Sequence, residues 1–349
     1  MTQVNRLDGG LIDRGTPLDF TFDGRRYGGF AGDTLASALL ANGVRLVGRS
    51  FKYHRPRGII SAGSEEPNAL VELREGARRE PNSRATMTEL HDGLVARSQN
   101  RFPALGFDLM GINDRFSAFL GAGFYYKTFM WPKAFWERVY EPLIRRAAGL
   151  GSLSGDPDPD VYDRGFRHCD LLVIGAGPAG LMAALTAGRG GAEVILVDED
   201  FCAGGRLTME RETVGDMAGA DWAATVVAEL ASLPNVRVMP RSTAIGVFDH
   251  GIYGVLERVA DHLPAPRAGT PRQILWRIYA RRAILAAGAT ERLFDLLATA
   301  PEIAAPAAPT TIKRTNRLES QTHVAALNEF VVCNRPIGIA SVSYTHLRA

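Results

Sequence analysis

The chain has 349 residues, of which 46% are hydrophobic and 22% charged; that length suits two or three domains of about 100–200 residues each, and the composition excludes wholesale disorder. Forty Lys and Arg against 38 Asp and Glu leave a net charge of +2, too even for a protein dedicated to nucleic acid. Three cysteines, Cys169, Cys202 and Cys333, stand far apart without a Cys-x-x-Cys pair, which excludes a disulfide scaffold, a Cys₄ zinc site and a Cys₄ iron–sulfur cluster.

In chain order, Asp19 to Phe22 alternates as a strand does, and Arg25-Arg26-Tyr27 continues beyond an Asp23-Gly24 turn, which predicts a hairpin. Asp33 is predicted to cap a short helix through Asn42, with Leu35, Ala38 and Leu39 on one face and Gly43 as its stop. Val44 to Val47, Ala69 to Leu73, Thr86 to Leu90 and Leu94 to Arg97 read as strands, the last two joined by Asp92-Gly93. Two strands, a helix and further short strands are the order of a β-grasp, ferredoxin-like domain over residues 1–100.

After the strand predicted at Val44 to Val47 lies a basic loop with Arg49, Lys52, His54, Arg55 and Arg57 around Phe51 and Tyr53. Nucleic-acid binding, a solvated loop and the holding of an anionic cofactor or partner compete as readings; forked guanidiniums suit the last. Residues 101–165 hold an aromatic helical segment and a linker: aromatic side chains crowd positions 124–140, Pro132 is placed to open a helix to about Arg146, and Gly149 to Gly165 is rich in Gly, Ser, Asp and Pro. The aromatic segment reads as core or subunit interface.

Residues 166–292 change to strand–turn–helix–strand. Leu171 to Ile174 and Val194 to Val197 are short continuous apolar runs, as strands buried on both faces require. Helices are predicted at Ala179 to Arg189 and Trp222 to Leu233, a strand at Val236 to Met239, paired strands around Asp249-His250-Gly251, and two more within Ile274 to Ala287. Residues 293–349 fit nothing upstream and read as an aberrant, non-native tail. The predicted fold class is α/β and α+β multidomain: a β-grasp domain without cluster cysteines, then an incomplete Rossmann-like FAD/NAD(P)-binding domain.

The turn Gly175-Ala176-Gly177-Pro178-Ala179-Gly180 joins the first buried strand to the first helix. In a dinucleotide site Gly175 permits the tight turn, Gly177 admits the pyrophosphate to the backbone, and Gly180 with Ala184 lets helix and sheet approach closely. The pyrophosphate then rests on the positive helix terminus. Asp198 ends the second strand at the spacing of a carboxylate that binds ribose hydroxyls; Glu199 replaces it if the strand ends one residue later. A carboxylate there repels a 2′-phosphate and so favours NAD or FAD over NADP, although Arg206 lies near. Gly204-Gly205 and the run Ile284 to Ala289, a strand with a terminal Gly288-Ala289, match the pattern of two-dinucleotide flavoproteins. The candidate cofactor-binding residues are therefore Gly175, Gly177, Pro178, Ala179, Gly180, Asp198, Glu199, Gly205, Arg206 and Gly288; no residue is a candidate for catalysis or metal ligation. The opening MTQVNRLDGGLIDRG has no apolar stretch and no run nears the roughly 20 apolar residues of a membrane span, so a cytoplasmic protein that binds neither membrane nor nucleic acid is expected.

Several segments resemble the alpha-subunit family of heterotetrameric sarcosine oxidase: GDTLASALLANG (32–43), GRSFKYHRPRGI (48–59), EEPNALV (65–71), GFYYKTFMWP (123–132), VIGAGPAGLMAA (173–184), LVDED (196–200) and ILWRIYARRAILAAGATER (274–292). The resemblance runs from about residue 5 to Arg292 and ends there, which implies a chain truncated before the family's folate-binding domain. It implies a ferredoxin-like fold that has lost its cluster, and NAD held at Gly175, Gly177, Gly180 and Asp198. It further implies a flavoprotein beta subunit with FAD, small gamma and delta subunits, FMN at the alpha–beta interface, and oxidation of sarcosine with release of hydrogen peroxide. Related chains serve dehydrogenases of N-methylglutamate, opines, proline or glycine, and a non-catalytic NAD-binding scaffold is a further reading.

Overall fold

The computed structural model describes residues 3, 5–7, 10–118, 120, 123, 131–149, 151–209, 211 and 213–288. The described residues fall into two compact units, one within Met1–Tyr162 and Arg258–Gln273, the other within Asp163–Glu257 and 274–288.

The first unit carries strands β1 (Asp13–Phe22), β2 (Arg25–Ala31), β3 (Gly48–Arg49), β4 (Pro56–Arg57), β5 (Leu70–Leu73), β6 (Glu80–Arg84) and β7 (Leu94–Ser98). Five form one mixed sheet in the order β2-β1-β7-β5-β6, with β1 antiparallel to β2 and parallel to β7. The hairpin forms as predicted: Asp23 and Gly24 both take positive φ, 50° and 77°, which gives the primed turn that matches strand twist. Helix Leu35–Ala41 lays Leu35, Ala38 and Leu39 against Phe20, Phe22, Val71 and Leu94. Leu35 and Leu39 are wholly buried, each contributing roughly 1.5–3 kcal/mol.

Three expectations are corrected here. Thr34, not Asp33, caps this helix: its hydroxyl accepts from Ser37 N–H while the Ser37 hydroxyl accepts from Thr34 N–H. Asp33, one residue earlier and fully buried, instead pairs bidentately with Arg6 at 2.7 and 3.1 Å and takes N–H and O–H donors from Phe30 and Ser37. Val44 to Val47 is not a strand; the ladder begins at Gly48–Arg49, paired with Pro56–Arg57. Thr86 to Leu90 is not a strand either, and Glu80–Arg84 takes the sheet edge next to β5.

The second unit holds β8 (Tyr162–Ile174), β9 (Val194–Val197), β10 (Thr213–Val214), β11 (Met217–Ala218), β12 (Val236–Met239), β13 (Ser242–Phe248), β14 (Ile252–Arg258) and β15 (Gln273–Leu285), of which Tyr162, Arg258 and Gln273 at the strand ends lie in the first unit. Six of them form one sheet, β12-β9-β8-β15-β14-β13, with β12, β9 and the end of β8 parallel. One strand, not two, occupies 273–285. The apolar runs follow from burial on both faces. Val173 and Leu196 point to helices Pro178–Arg189 and Gly219–Ser232, while Leu172, Ile195 and Val197 join Met239, Val255 and Ile278 on the other side. No helix among the described residues is long and apolar enough to cross a membrane.

The segment after Pro132 is shorter and less regular than predicted: a 3₁₀ turn Lys133–Phe135 capped by Pro132, a π turn Trp136–Tyr140, and helix Glu141–Ala147. Trp131 and Phe135 are 83% and 49% exposed, so neither belongs to a core. The aromatic residues 124–130, Cys333 and the tail 293–349 lie outside the described residues.

Candidate functional site

Strand β8 ends at Ile174 and the helix begins at Pro178, so three residues make the turn between them. Gly175 sits at φ 105°, and a Cβ there would stand 2.4 Å from the Ala286 carbonyl oxygen; only glycine fits. A Cβ on Gly180 would lie 1.8 Å from the Gly175 oxygen, so helix and turn touch backbone to backbone. Gly177 differs: its φ of −68° suits any residue and a Cβ would meet nothing within 4 Å. The space beside it is open, at the N-terminus of a 12-residue helix that no side chain caps, the arrangement that receives an anion on backbone N–H groups.

Asp198 follows β9 directly and braces this turn. Its carboxylate accepts from the backbone N–H of Ala176 and, at 2.8 Å, from that of Asp200. Burial pushes the carboxyl above the ordinary aspartate value and the charge of Glu199 adds to the rise, while the two N–H donors hold it back. Each oxygen thus has one donor and retains a lone pair for another.

Gly204 N–H donates to the Ala176 carbonyl at 2.8 Å, and Gly205 (φ 53°) opens the 3₁₀ turn Gly205–Thr208 against Gly177, whose Cα is 3.1 Å from the position of a Gly205 Cβ. The structure therefore brings Gly175, Gly177, Gly180, Asp198 and Gly205 together. Pro178 and Ala179 lie on the first helical turn, Glu199 follows Asp198, and Arg206 is exposed on the 3₁₀ turn. Gly288 is exposed with open space at its Cβ position, two residues beyond the Ala286 that closes on Gly175. Ala176 is a site residue that sequence reasoning does not reach: it works through its N–H and C=O alone, so its side chain carries no signal.

In the first unit the basic loop is largely self-contained. His54 is buried with its Nδ1 2.6 Å from Asp108, Arg55 pairs with Asp114 at 2.7 Å, and Arg49 donates to the carbonyls of Leu105 and His54.

Two families match the chain. The "2Fe-2S iron-sulfur cluster binding domain" covers residues 15–101 and the "FAD dependent oxidoreductase" family residues 170–249. The first name implies a cluster that these residues do not fit, since residues 15–101 contain no cysteine. The second fits the cradle around Gly177. Among relatives, the alpha subunit of sarcosine oxidase from Rhizobium meliloti (strain 1021) is 60% identical over 283 residues, 81% of this chain and 29% of that protein. Its counterpart from Corynebacterium sp. (strain P-1) is 38% identical over 80% of this chain and 25% of its own length. An opine oxidase subunit from Rhizobium meliloti is 32% identical over 35% of this chain and 23% of that protein. The chain thus spans less than a third of the length of each of these relatives.

Proposed function

We propose that this chain, whose matched part belongs with the sarcosine oxidase alpha subunits, is the nucleotide-holding part of an oxidoreductase subunit that serves the oxidation of a secondary amine. The observation that carries this reading is the cradle of Gly175, Gly177, Gly180 and Gly205 around an uncapped helix terminus, braced by Asp198.

In this reading the open face of Gly177 admits a pyrophosphate to backbone N–H groups, and the helix terminus offsets its charge. Pro178 and Ala179 form the first turn beneath it, and Gly205 walls the opposite side. The free lone pairs of Asp198, or the neighbouring Glu199, accept the adenosine ribose hydroxyls; the same charge disfavours a 2′-phosphate. Arg206 and Gly288 border the nucleotide. NAD is the proposed occupant, and FAD is the alternative favoured by the family match over residues 170–249. The bound ring system supplies hydride or electron transfer; the chain supplies position and electrostatics. None of its residues is assigned as the base that deprotonates the amine.

The complete assembly is proposed to convert sarcosine to glycine with formation of hydrogen peroxide, in the cytoplasm, alongside a flavin-carrying beta subunit, small gamma and delta subunits, and FMN at the alpha–beta interface. The match to the opine oxidase chain favours a second reading, an opine as the amine. The test is to denature the purified chain and identify released nucleotides by mass spectrometry. NAD without flavin is the expected result; FAD would move the redox centre into this chain, and NADP would overturn the role given to Asp198.

A further inference from the structure

The first unit contains a cavity of about 200 Å³ that the dinucleotide reading does not use. It is smaller than the ~300–1,000 Å³ of pockets that take drug-sized ligands. Arg49, Arg57, Asn68 and Gln99 contribute polar groups to its wall, Phe51 and Leu70 apolar ones, and no carboxylate lines it. Other arginines of this unit do meet acids: Arg6 meets Asp33, Arg55 meets Asp114, and Arg78 meets Asp160.

Arg49 and Arg57 have no carboxylate partner among the described residues. Arg49 is half-buried and spends its donors on neutral carbonyls, Nε and Nη2 on Leu105 O at 3.1 and 2.6 Å and Nη1 on His54 O at 3.2 Å. Those bonds hold the guanidinium rigid without neutralising it, and two of its five N–H groups remain unspent. Arg57 enters from the two-residue ladder with Gly48, which fixes its backbone beside the Arg49 strand. Asn68 has its backbone N–H tied to the Glu66 carboxylate at 2.8 Å, which anchors its position while its carboxamide makes no hydrogen bond among the described residues. Two uncompensated guanidiniums, one immobilised, with an amide donor and a small apolar wall, make a receptor for an anion.

We propose that this cavity binds a small oxyanion, a phosphoryl or carboxylate group on a compact organic body, held between Arg49 and Arg57. Arg49 acts as the fixed fork and Arg57, which is exposed at the rim, closes on the ligand from the solvent side.

Equilibrium dialysis of the full chain against radiolabelled phosphate, and separately against radiolabelled succinate, tests this with chloride at matched ionic strength in both arms. Saturable uptake of either at one equivalent is expected, and whichever anion binds more tightly identifies the head group. R57Q should retain the wild-type melting temperature, because Arg57 has no ion-pair partner to lose among the described residues, and should weaken that uptake about tenfold, the scale of one charge-assisted hydrogen bond. No saturable uptake of either anion would overturn the proposal. So would uptake that R57Q leaves unchanged, which would place the anion elsewhere, for instance at the turn around Gly177.

Discussion

A Cβ on Gly205 would stand 3.1 Å from the Cα of Gly177, so the loop after the second strand and the turn after the first meet at two residues that have no side chain. The contact leaves one side of Gly177 closed by backbone and the other open. Gly177 in the turn and Gly180 on the helix are therefore distinguishable by experiment.

Gly180→Ala places a methyl group 1.8 Å from the Gly175 oxygen. Helix and turn must separate, and overpacking of this kind costs about 1–3 kcal/mol; a lower melting temperature is expected, with nucleotide binding lost alongside. Gly177→Ala places its methyl in open space at an ordinary φ. Its melting temperature should match wild type while nucleotide affinity falls at least tenfold, because the methyl occupies the pyrophosphate's approach. Equal affinity in Gly177→Ala and wild type would remove the turn from the binding site.

Glu66 organises residues 60–68 from within the core. It is 1% exposed and accepts from the N–H groups of Ile60, Ser61 and Asn68 at 2.7–2.8 Å and from the Ser61 hydroxyl at 3.2 Å. Burial pushes its carboxyl up, but these donors outweigh it and hold the group below the ordinary glutamate value of 4.5. A folded-state value below the unfolded one means stability that is present above about pH 4.5 and is lost as pH falls through the depressed folded value. Glu66→Gln should cost about 1–3 kcal/mol at pH 7, since an amide nitrogen then faces an N–H donor, and its stability should fall less than wild type's between pH 5 and 3. Chemical denaturation across that range measures both.

The parallel strands and the glycine turn are legible in the sequence because each is dictated locally. Val194–Val197 must be apolar at every position to be buried on both faces, and the predicted strand matches the observed one to the residue. Thr86 to Leu90 misleads because its alternation serves a different partner. The backbone carbonyls of Ala85 and Thr88 accept from Ala36 and Leu35, closing the start of the helix that Thr34 caps, so the segment has no ladder to join. The true edge strand, Glu80–Arg84, contains Pro81 and lacks apolar alternation, which an edge tolerates and a sequence pattern does not reveal. Ala176 lies beyond any side-chain signal, because its whole contribution is main-chain.

Acidification should release nucleotide earlier than an ordinary aspartate would allow. Burial raises the Asp198 carboxyl, with Glu199 adding to it, so protonation begins above the usual value of 3.8. The protonated form gives up acceptor capacity to ribose, and affinity should fall as pH drops through the raised value. Asp198→Asn should bind more weakly at pH 7 and lose that pH dependence between pH 7 and 4. A titration of affinity against pH that overlays for the two proteins would exclude Asp198 as the ribose ligand.

Arg272 should matter more than its distance in sequence from the first unit's sheet suggests. It is 6% exposed, donates Nε to Asp261 at 2.6 Å and Nη2 to Glu80, and shares both acids with Arg74, whose Nη1 lies 2.9 Å from Glu80. Through these bonds the stretch Arg258–Gln273 is fastened to β6 and to the end of β5. Arg272→Met leaves Asp261 and Glu80 with Arg74 as their shared cation, and Asp261 with the Gln273 amide as well. Removing one partner of a buried network costs about 3–5 kcal/mol, and the low end applies because Glu80 is partly exposed. Arg272→Met with Asp261→Asn, which leaves Arg74 paired with Glu80, should recover part of that loss; full additivity would show that Arg272 and Asp261 do not belong to one network.

Cys169 and Cys202 should differ sharply towards alkylating reagents. Cys169 lies on β8 with 7% exposure, and burial pushes its thiol up to about 12 from 9.0, with Asp170 and Glu193 adding to the rise and the Ile195 backbone opposing it. Only the thiolate reacts, so at pH 8 about one molecule in ten thousand presents it. Cys202 is half-buried in the loop after Asp198. Iodoacetamide at pH 8 followed by peptide mass spectrometry should label Cys202 within minutes and Cys169 only after denaturation. The same shift has a sign for stability: a folded-state value above the unfolded one keeps the proton on the folded form. The contribution is whole below about pH 9 and declines as pH rises from about 9 towards 12. Cys169→Ala should flatten that decline, by up to about 1.4 kcal/mol per pH unit. Labelling of native Cys169 at the rate of Cys202 would instead mean that β8 opens on the timescale of the reaction.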